Sequence, residues 1–328
     1  MINTNYLNYL NKYYPNQVEV YRKCKGPVEY IVDEFTNNTE NEYINKICQK
    51  DQLIKKYLEK YIQERTSKSK LPLFNKIEIE TINQCNNNCG FCPVNRDSNP
   101  KEPEQMSLTL YYSIINQLKI LNYSGAIGLF SNNEPLLDDR FLELLEYAYT
   151  KLPNSYLYFY TNGMLLTEKN LKSLLGYTDF IHINNYSNNK HMIAPIRKVH
   201  KLLREQGIQS NKVEIHLRNK HECLSNRGGQ SPNRTHSVNI QLNSPCILPF
   251  SQMVVRTNGQ VSLCCNDSYG KYTMGDLNKQ SIEEVWYGEQ FNIFREQSIA
   301  GRAQGFICKN CDMLFMPLAF EDYLENQF

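Results

Sequence analysis

Hydrophobic and polar residues alternate with a period of two in several short runs, and each run predicts a β-strand. The runs are KIEIETI (76–82), AIGLFS (126–131), YLYFYTNG (156–163), DFIHINNYS (179–187) and KVEIHL (212–217). Between them, apolar residues recur every three to four positions, as in amphipathic helices. These predicted helices lie near 107–122, 139–152, 168–175 and 192–206. Alternating strands and helices predict an α/β fold with a parallel sheet, and five or six such units predict a partial (β/α) barrel.

Residues 1–74 differ from the rest of the chain and contain no motif that predicts a chemical function. Apolar residues at helical spacing predict one amphipathic helix over roughly 51–65, and TSKSKLP (66–72) is typical of a linker. We expect a mainly helical N-terminal extension that packs on the main domain. A separate partner-binding module is the alternative that composition leaves open.

The pattern changes again after about residue 244. The segment QMVVRTNGQVSLCC (252–265) contains two alternating runs joined by Asn258-Gly259, a dipeptide that favours a tight hairpin turn. A predicted helix near 281–299 follows. We therefore predict three regions, namely the extension over 1–74, the partial barrel over 75–243 and a small hairpin-plus-helix domain over 244–328.

Composition narrows the classes of function. The 328 residues carry a formal net charge of +2, which does not indicate a nucleic-acid-binding protein. The start of the chain lacks the layout of a signal peptide, and no apolar run approaches the roughly 18 residues of a membrane span. We expect a cytoplasmic protein without membrane partners. Eleven cysteines in such a chain favour metal ligation over disulfides.

Cysteine spacing is the strongest chemical signal in the sequence. Cys85, Cys89 and Cys92 form the run CNNNCGFC directly after the first predicted strand. Three thiolates in one loop can hold three corners of a [4Fe–4S] cluster, and one iron then stays open to another ligand, because full ligation takes four cysteines. A zinc loop is the alternative. The loop would lie at the carboxyl-terminal edge of the sheet, where α/β folds bind ligands.

A second set of four cysteines predicts a fully ligated cluster that can accept or pass an electron, with a structural zinc ion as the alternative. The set is Cys246, Cys264, Cys308 and Cys311. The neighbouring Cys265 would face away from Cys264 on a strand, either as a buried apolar residue or as a hydrogen-atom donor in the active site. The remaining cysteines have no partner spacing and are interpreted as packing residues. They are Cys24, Cys48 and Cys223.

Residues 76–312 resemble the radical S-adenosylmethionine (SAM) enzymes that carry a SPASM/Twitch auxiliary-cluster domain. Besides the first cysteine run, the motifs that carry the resemblance are CILP (246–249), GQVSLCCND (259–267), MGDL (274–277), SIEEVW (281–286) and CKNCD (308–312). The aminocyclitol dehydrogenase branch of the family is similar in IEIETINQC (77–85), NEPLL (133–137) and LSNRGG (224–229). The resemblance implies a radical SAM partial barrel, a C-terminal Twitch/SPASM domain, bound SAM and two [4Fe–4S] clusters.

The resemblance also implies roles for single residues. It makes Cys85, Cys89 and Cys92 ligands of the SAM-binding cluster, and Cys246, Cys264, Cys308 and Cys311 ligands of the auxiliary cluster. It places Phe91, Glu134, Asn162 and Gly163 at the SAM site, with Phe91 near the adenine and Glu134 at the methionine amino group. Glu78 and Arg227 match substrate-contacting positions; a strand ion pair and a brace between domains are their structural alternatives. The family motif GGEP is SNNEP (131–135) here, so we expect a different backbone course there.

The reaction that the resemblance implies is oxidation of a secondary alcohol of a sugar or cyclitol to a ketone. A 5′-deoxyadenosyl radical would take the hydrogen atom, the auxiliary cluster would accept an electron, and flavodoxin or ferredoxin would supply reducing electrons. Two alternatives stay open: epimerisation with Cys265 as hydrogen-atom donor, and modification of a ribosomally made peptide. Basic residues between 197 and 234 would favour a phosphorylated or nucleotide-linked sugar if they faced the barrel mouth.

Overall fold

Strands and helices alternate along most of the chain. The computed structural model describes Lys12 and residues 31–207, 212–234, 240, 242–299, 301–302 and 306–314. The strands are β1 (Ile31–Asp33), β2 (Lys76–Ile79), β3 (Ala126–Gly128), β4 (Tyr156–Thr161), β5 (Phe180–Ser187), β6 (Val213–Asn219), β7 (Gln252–Val255), β8 (Gln260–Ser262) and β9 (Thr273–Asp276). The helices are α1 (Glu40–Thr66), α2 (Leu108–Ile120), α3 (Phe141–Lys151), α4 (Glu168–Gly176), α5 (Ala194–Glu205), α6 (Ile282–Trp286) and α7 (Glu289–Ile299).

The described strands form one sheet in the order β1-β6-β5-β4-β3-β2-β7-β8-β9. The neighbours from β1 to β7 are parallel, whereas β7 with β8 and β8 with β9 are antiparallel. Parallel strands need crossover connections, and α2, α3, α4 and α5 supply them between β2 and β6. The predicted α/β fold class is confirmed. The hairpin of β7 and β8 continues the sheet on the far side of β2.

The two faces of the sheet differ in polarity. Ile77, Ile127 and Ile181 are fully buried under the helices. The residues that alternate with them are polar, and Glu78 and His182 are buried on the opposite, inner face. Polar side chains on this inner face cannot pack together as an apolar core. The inner face is therefore the candidate ligand-binding surface.

The structure corrects several predicted elements. The helix predicted over 51–65 starts at Glu40, where Thr39 and Glu42 form a reciprocal capping box. Strands β1 and β9 were not predicted, and the helix predicted near 281–299 is divided into α6 and α7. Cys48 lies on α1 and Cys223 is buried, while Cys24 lies outside the described residues. The predicted region boundaries at 74/75 and 243/244 stay predictions.

Helix α1 belongs to the main core. Its buried residues Ile54 and Leu58 are in the same apolar cluster as Trp286 and Phe74, which pack edge to face at 5.3 Å. No helix among the described residues has both the length and the apolar character needed to cross a bilayer.

We predict that Leu58→Ala destabilises the whole protein, because Leu58 is 1% exposed within this shared core. The expected loss in the free energy of unfolding is about 2–5 kcal/mol, as for other large-to-small changes in a core. Urea unfolding followed by the fluorescence of Trp286, the single tryptophan of the chain, measures the loss. Leu53→Ala on the same helix is the control, because Leu53 is 57% exposed. An equal effect of both changes would contradict the packing of α1 on the main core.

Candidate active site

The first cysteine group lies in the loop that follows β2. It consists of Cys85, Cys89 and Cys92. The Gly90 N–H donates to the Lys220 carbonyl at 2.9 Å, which ties the loop to the end of β6. The Asn95 side chain donates to the Cys92 carbonyl at 2.8 Å and closes the loop on itself. The three thiols are thus held at the carboxyl-terminal edge of the parallel sheet, where the sequence predicts them.

The second cysteine group lies beyond the hairpin, and all four of its members are buried free thiols. It consists of Cys246, Cys264, Cys308 and Cys311. They come from the segment before a short 3-10 helix (Leu248–Phe250), the segment after β8, and a second 3-10 helix (Ile307–Asn310) with the residue that ends it. Burial raises the pKa of each of these thiols, so a bound cation is needed to keep them deprotonated.

The spacing of the sulfurs distinguishes a cluster from a single metal ion. Around one zinc ion with bonds of about 2.3 Å, thiolate sulfurs lie about 3.8 Å apart. In the described part of the chain, the one group that brings three ligand atoms within 4.8 Å of one another contains no cysteine. The sulfurs of neither cysteine group are thus gathered as closely as around one zinc ion, and such a wider spacing is compatible with a larger cluster held by soft thiolate ligands.

Glu134 organises the strand ends beside the first cysteine group. Its side chain is buried and accepts hydrogen bonds from Asn162 N at 2.7 Å, Thr161 Oγ1 at 2.6 Å and Leu136 N at 3.2 Å. Burial raises the pKa of Glu134 to about 7, although these donors oppose the rise. The Asn162 amide also lies 3.8 Å from Cys85 Sγ. Glu134 therefore links the ends of β3 and β4 to the cysteine loop.

Two other residues predicted at the SAM site lie close by. Gly163 follows Asn162 and adopts φ +72°, and a Cβ there would lie 2.7 Å from Ile196, so only glycine suits this position. Phe91 is buried within the cysteine loop, and its ring centroid lies 5.6 Å from that of Tyr186 on β5.

The SNNEP loop (131–135) is held by contacts of its backbone and of its asparagine side chains, and a glycine could make only the backbone contacts. Asn133 Oδ1 accepts a hydrogen bond from Ser131 N at 2.8 Å and forms the turn. The Asn132 N–H donates to Glu80 Oε1 at 3.1 Å, and the Asn132 amide donates to the Cys265 carbonyl at 3.1 Å. The Asn132 side chain is thereby connected to the segment that carries the second cysteine group, and the different backbone course stays a prediction.

Arg227 adds further hydrogen bonds between the SNNEP loop and the segment after β8. Its guanidinium donates to Asn132 Oδ1 at 2.7 Å and to Ser268 Oγ at 3.1 Å. The Arg227 backbone has φ +48°, an uncommon conformation for a residue with a side chain, which the surrounding structure must stabilise.

The LSNRGG loop (224–229) obtains that support from the CKNCD segment (308–312). Asn226 N donates to Asp312 Oδ1 at 2.8 Å, and the Asn226 amide donates to the Asn310 carbonyl at 2.7 Å. Gly228 has φ +62°, and a Cβ there would lie 2.7 Å from Ile307 Cβ. The loop therefore packs closely against Ile307, the residue before Cys308 of the second cysteine group.

Glu78 on β2 and Cys265 in the segment after β8 are close enough for their charges to interact. The Glu78 carboxylate is 3.0 Å from Lys76 Nζ and accepts from Gln252 at 2.8 Å and Ser131 Oγ at 3.0 Å, so the strand ion pair is present. Burial, with the negative charge of Glu78 adding to it, raises the pKa of the Cys265 thiol to about 12, against the positive charges of Lys76 and Arg227. The structure thus brings together the three residues predicted to be catalytic.

Sequence reasoning missed Glu80 and Asn132. Glu80 is 2% exposed on the same face of β2 as Glu78, and burial raises its pKa. The alternation in KIEIETI could have indicated Glu80, because it places both carboxylates on one face. No local signal indicates Asn132, whose partners are distant in sequence.

A third group of titratable residues lies deeper on the inner face. His216 Nδ1 is 2.9 Å from Glu34 Oε1 and Nε2 is 3.2 Å from Glu214 Oε2, while its ring stacks on His182 at 3.7 Å. Burial lowers the pKa of His216, but the bonds to Glu214 and Glu34 outweigh burial and raise the pKa overall. Burial and the charge of His216 lower the pKa of His182 to about 3. The two carboxylates thus favour the protonated form of His216, which lies between them.

Most basic residues between 197 and 234 are not available to a ligand. Arg197, Lys198, Lys201 and Arg204 are exposed on the outer helix α5. Arg218 pairs with Glu34 and Glu222, and Arg234 pairs with Glu40 and Asp312. Arg227 is the member of this set that lies between the cysteine groups.

A partial parallel barrel with one open cysteine loop at its carboxyl-terminal edge and a second cysteine group docked beside it defines an iron–sulfur enzyme. Comparison with known proteins agrees with this class. Residues 79–217 match the Radical SAM superfamily, and residues 246–312 match SPASM, an iron-sulfur cluster-binding domain. The protein belongs to the radical SAM superfamily, among the members with a SPASM domain. Its cofactors are SAM and [4Fe–4S] clusters.

Individual relatives support the same assignment. The chain is 34% identical over 243 residues to the S-adenosyl-L-methionine-dependent 2-deoxy-scyllo-inosamine dehydrogenase of Niallia circulans, covering 73% of this chain and 93% of that protein. The crystal structure of BtrN in complex with AdoMet and 2-DOIA superposes with a TM-score of 0.63 at 31% identity, over 74% of this chain and 94% of that one. Histidine-tagged anSMEcpe with bound AdoMet shares the fold, with a TM-score of 0.52 and 15% identity over 76% and 92% of the two chains.

We predict that His216→Gln destabilises the protein most at low pH. The raised pKa of His216 contributes stability that is fully present below its ordinary value of 6.5 and is lost as pH rises through the folded value. Glu34, whose pKa is lowered to about 2 by His216 and Arg218 against the effect of burial, keeps its charge throughout that range. Urea unfolding between about pH 5 and pH 9 measures the free energy of unfolding of wild type and variant. The difference between the two should shrink as pH rises. A difference that does not change with pH would contradict the assignment.

Proposed function

We propose that the protein is a dehydrogenase that oxidises a secondary alcohol on a cyclitol or sugar ring to a ketone. The observation that carries the proposal is the bridge Asn132–Arg227–Ser268, which seats the second cysteine group against the mouth of the barrel. A four-cysteine cluster in that place can receive the electron that alcohol oxidation releases. The dehydrogenase of Niallia circulans, which supports this reaction type, is similar along most of its length.

We assign the first cysteine group to the SAM-binding cluster and the second cysteine group to the auxiliary cluster. When bound, SAM and its cluster supply a carbon radical that can take a hydrogen atom from a C–H bond, and the auxiliary cluster supplies an electron acceptor. The protein positions the substrate and handles the proton. Flavodoxin or ferredoxin is the proposed source of reducing electrons.

The SAM pocket that we propose is built on Glu134. A carboxylate offers about four acceptor positions, and three of those on Glu134 are occupied by donors of this chain. The remaining position can accept a hydrogen bond from the methionine amino group. Phe91, Asn162 and Gly163 would form the adjoining walls.

Arg227 and Glu78 are the proposed contacts to the substrate. Arg227 lies at the junction of the barrel and the auxiliary segment, so its guanidinium can orient a ring hydroxyl. Glu78 lies beside Cys265, and its carboxylate is the proposed acceptor of the hydroxyl proton. The alcohol then loses one hydrogen atom, one proton and one electron, which is the balance of a two-electron oxidation.

The substrate that we propose is an unphosphorylated polyol ring. Phosphate recognition needs several free cations, and the basic residues between 197 and 234 mostly face solvent or pair with carboxylates. Buried carboxylates on the inner face, among them Glu78, Glu80 and Glu214, suit hydroxyl or amino groups instead. The curated relative acts on an aminocyclitol according to its name, which agrees with this class.

Epimerisation is the second candidate, and the position of Cys265 favours it. The Cys265 thiol is near enough to Glu78 and Arg227 for their charges to affect it, so it could return a hydrogen atom to a substrate radical held by those two residues.

We predict that the reconstituted enzyme, incubated with SAM, a reductant and 2-deoxy-scyllo-inosamine or a related cyclitol, forms a ketone and 5′-deoxyadenosine in equal amounts. The same reaction in deuterium oxide decides between the candidates when the products are analysed by mass spectrometry. Deuterium retained at the reacting carbon, and lost with Cys265→Ala, would exclude the dehydrogenase. A ketone formed equally well by Cys265→Ala would exclude the epimerase, and no 5′-deoxyadenosine at all would exclude both.

We predict that Arg227→Gln lowers kcat/KM for oxidation by about a hundredfold, the usual effect of removing a charged group that orients the reacting centre. Asn132→Ala distinguishes a role of Arg227 in orienting the substrate from a role in holding the barrel and the auxiliary segment together. It removes a hydrogen-bond partner of Arg227 but keeps the guanidinium. If Arg227 contacts the substrate, Asn132→Ala costs less than Arg227→Gln. Equal losses would mean that Arg227 acts only as a brace. Lys198→Gln on the exposed face of α5 is the control.

A further inference from the structure

The amino-terminal segment (31–66) lies outside both matched regions, which cover 79–217 and 246–312. It consists of β1, the connection to α1, and α1 itself. Strand β1 pairs with β6, and α1 is part of the main core. Two of its polar contacts reach residues that flank the second cysteine group, one directly and one through Arg234.

Asp51 makes the first of these contacts. It is 4% exposed, and its carboxylate accepts hydrogen bonds from Asn243 N and Ser244 N, each at 2.9 Å. Ser244 Oγ donates back to the Asp51 carbonyl at 3.1 Å. Ser244 lies two residues before Cys246, so α1 fixes the course of the chain into this cysteine.

Glu40 makes the second contact through Arg234. Glu40 Oε1 accepts from Arg234 Nε at 2.8 Å, and Arg234 Nη2 donates to Asp312 Oδ2 at 2.8 Å. The side chains of Arg234 and Asp312 are 1% and 0% exposed, and the Arg234 guanidinium also lies 4.9 Å from the ring of Tyr43 on α1. Asp312 directly follows Cys311.

The two contacts lie on either side of the second cysteine group along the chain. One holds the chain before Cys246, and the other holds the chain after Cys311. Asp312 also accepts from Asn226 N, so the Glu40 contact reaches the loop that presents Arg227. Asp51 and Asp312 are buried carboxylates that each accept two hydrogen bonds. They fix the local geometry, because moving them would leave backbone donors or a buried guanidinium unpaired.

We propose that the amino-terminal segment is a positioning element for the auxiliary cluster, with Asp51 holding the Cys246 loop and Glu40 holding the Cys311 loop through Arg234 and Asp312. It sets the distance from the radical site to the electron acceptor. This inference rests on the proposed function insofar as the auxiliary cluster receives the substrate electron. It argues against a separate partner-binding module in residues 31–66.

The test uses the full chain with both clusters reconstituted, and compares wild type with Glu40→Gln and Asp51→Ala. Glu59→Gln is the control, because Glu59 is an exposed residue of α1 that pairs only with Lys55 among the ion pairs seen here. Three quantities are measured: iron and sulfide per protein, the distance between the two reduced clusters by pulsed electron paramagnetic resonance, and ketone formed per 5′-deoxyadenosine.

We predict that Glu40→Gln and Asp51→Ala broaden or lengthen the distance between the clusters and lower the ketone yield per 5′-deoxyadenosine by about tenfold, because small displacements of reacting centres are costly. The rate of 5′-deoxyadenosine formation should stay close to that of wild type, since the first cysteine group is untouched. Glu59→Gln should match wild type in all three quantities.

Unchanged distance and yield in both variants would overturn the proposal. Glu40→Gln is the milder change, because the Glu40 side chain is 28% exposed, and it keeps the test decisive if Asp51→Ala fails to fold. If wild type forms no ketone from any cyclitol, the proposed function fails, but the distance measurement still decides whether the segment positions the cluster.

Discussion

The contact between Asn226 and Asp312 determines how the two halves of the molecule face each other. Asn226 donates to Asp312 and to the Asn310 carbonyl, so the LSNRGG loop and the CKNCD segment share one set of hydrogen bonds. Gly228 permits the approach, because a side chain there would overlap Ile307. With the loop held in this way, Arg227 points to Asn132, and the second cysteine group lies beside the barrel mouth.

The elements that could be predicted from sequence are those with local causes. The five predicted strands alternate because one face meets helices and the other meets the lumen, and cysteine spacing within CNNNCGFC needs no distant partner. Strand β1 has three residues, and its identity depends on pairing with β6, so no local pattern marks it. The start of α1 is polar because its first turns bury few residues, and only the capping box of Thr39 and Glu42 indicates it.

The departure from the GGEP pattern illustrates why part of the site could not be predicted. Sequence indicates that glycines are replaced in SNNEP, and it suggests a changed backbone. It does not indicate that Asn133 supplies the hydrogen bond of the turn, or that Asn132 reaches Glu80, Cys265 and Arg227. Those partners are separated from Asn132 by about fifty to more than a hundred positions, and only the assembled sheet brings them together. The side chain of Asn132 therefore takes part in the bridge between the halves, which a glycine at this position could not do.

Ion pairs connect the amino-terminal segment to the barrel wall and to the connecting loop. Arg218 and Arg234 are largely withdrawn from water in the barrel wall and the connecting loop, and each obtains one of its two carboxylate partners from this segment, Glu34 and Glu40 respectively. Leaving a buried charge without its partner typically costs about 3–5 kcal/mol. The cost of losing Glu34 or Glu40 is smaller than this, because each arginine keeps its second carboxylate and because Glu34 and Glu40 are partly exposed. Both arginines thus obtain part of their charge compensation from the amino-terminal segment.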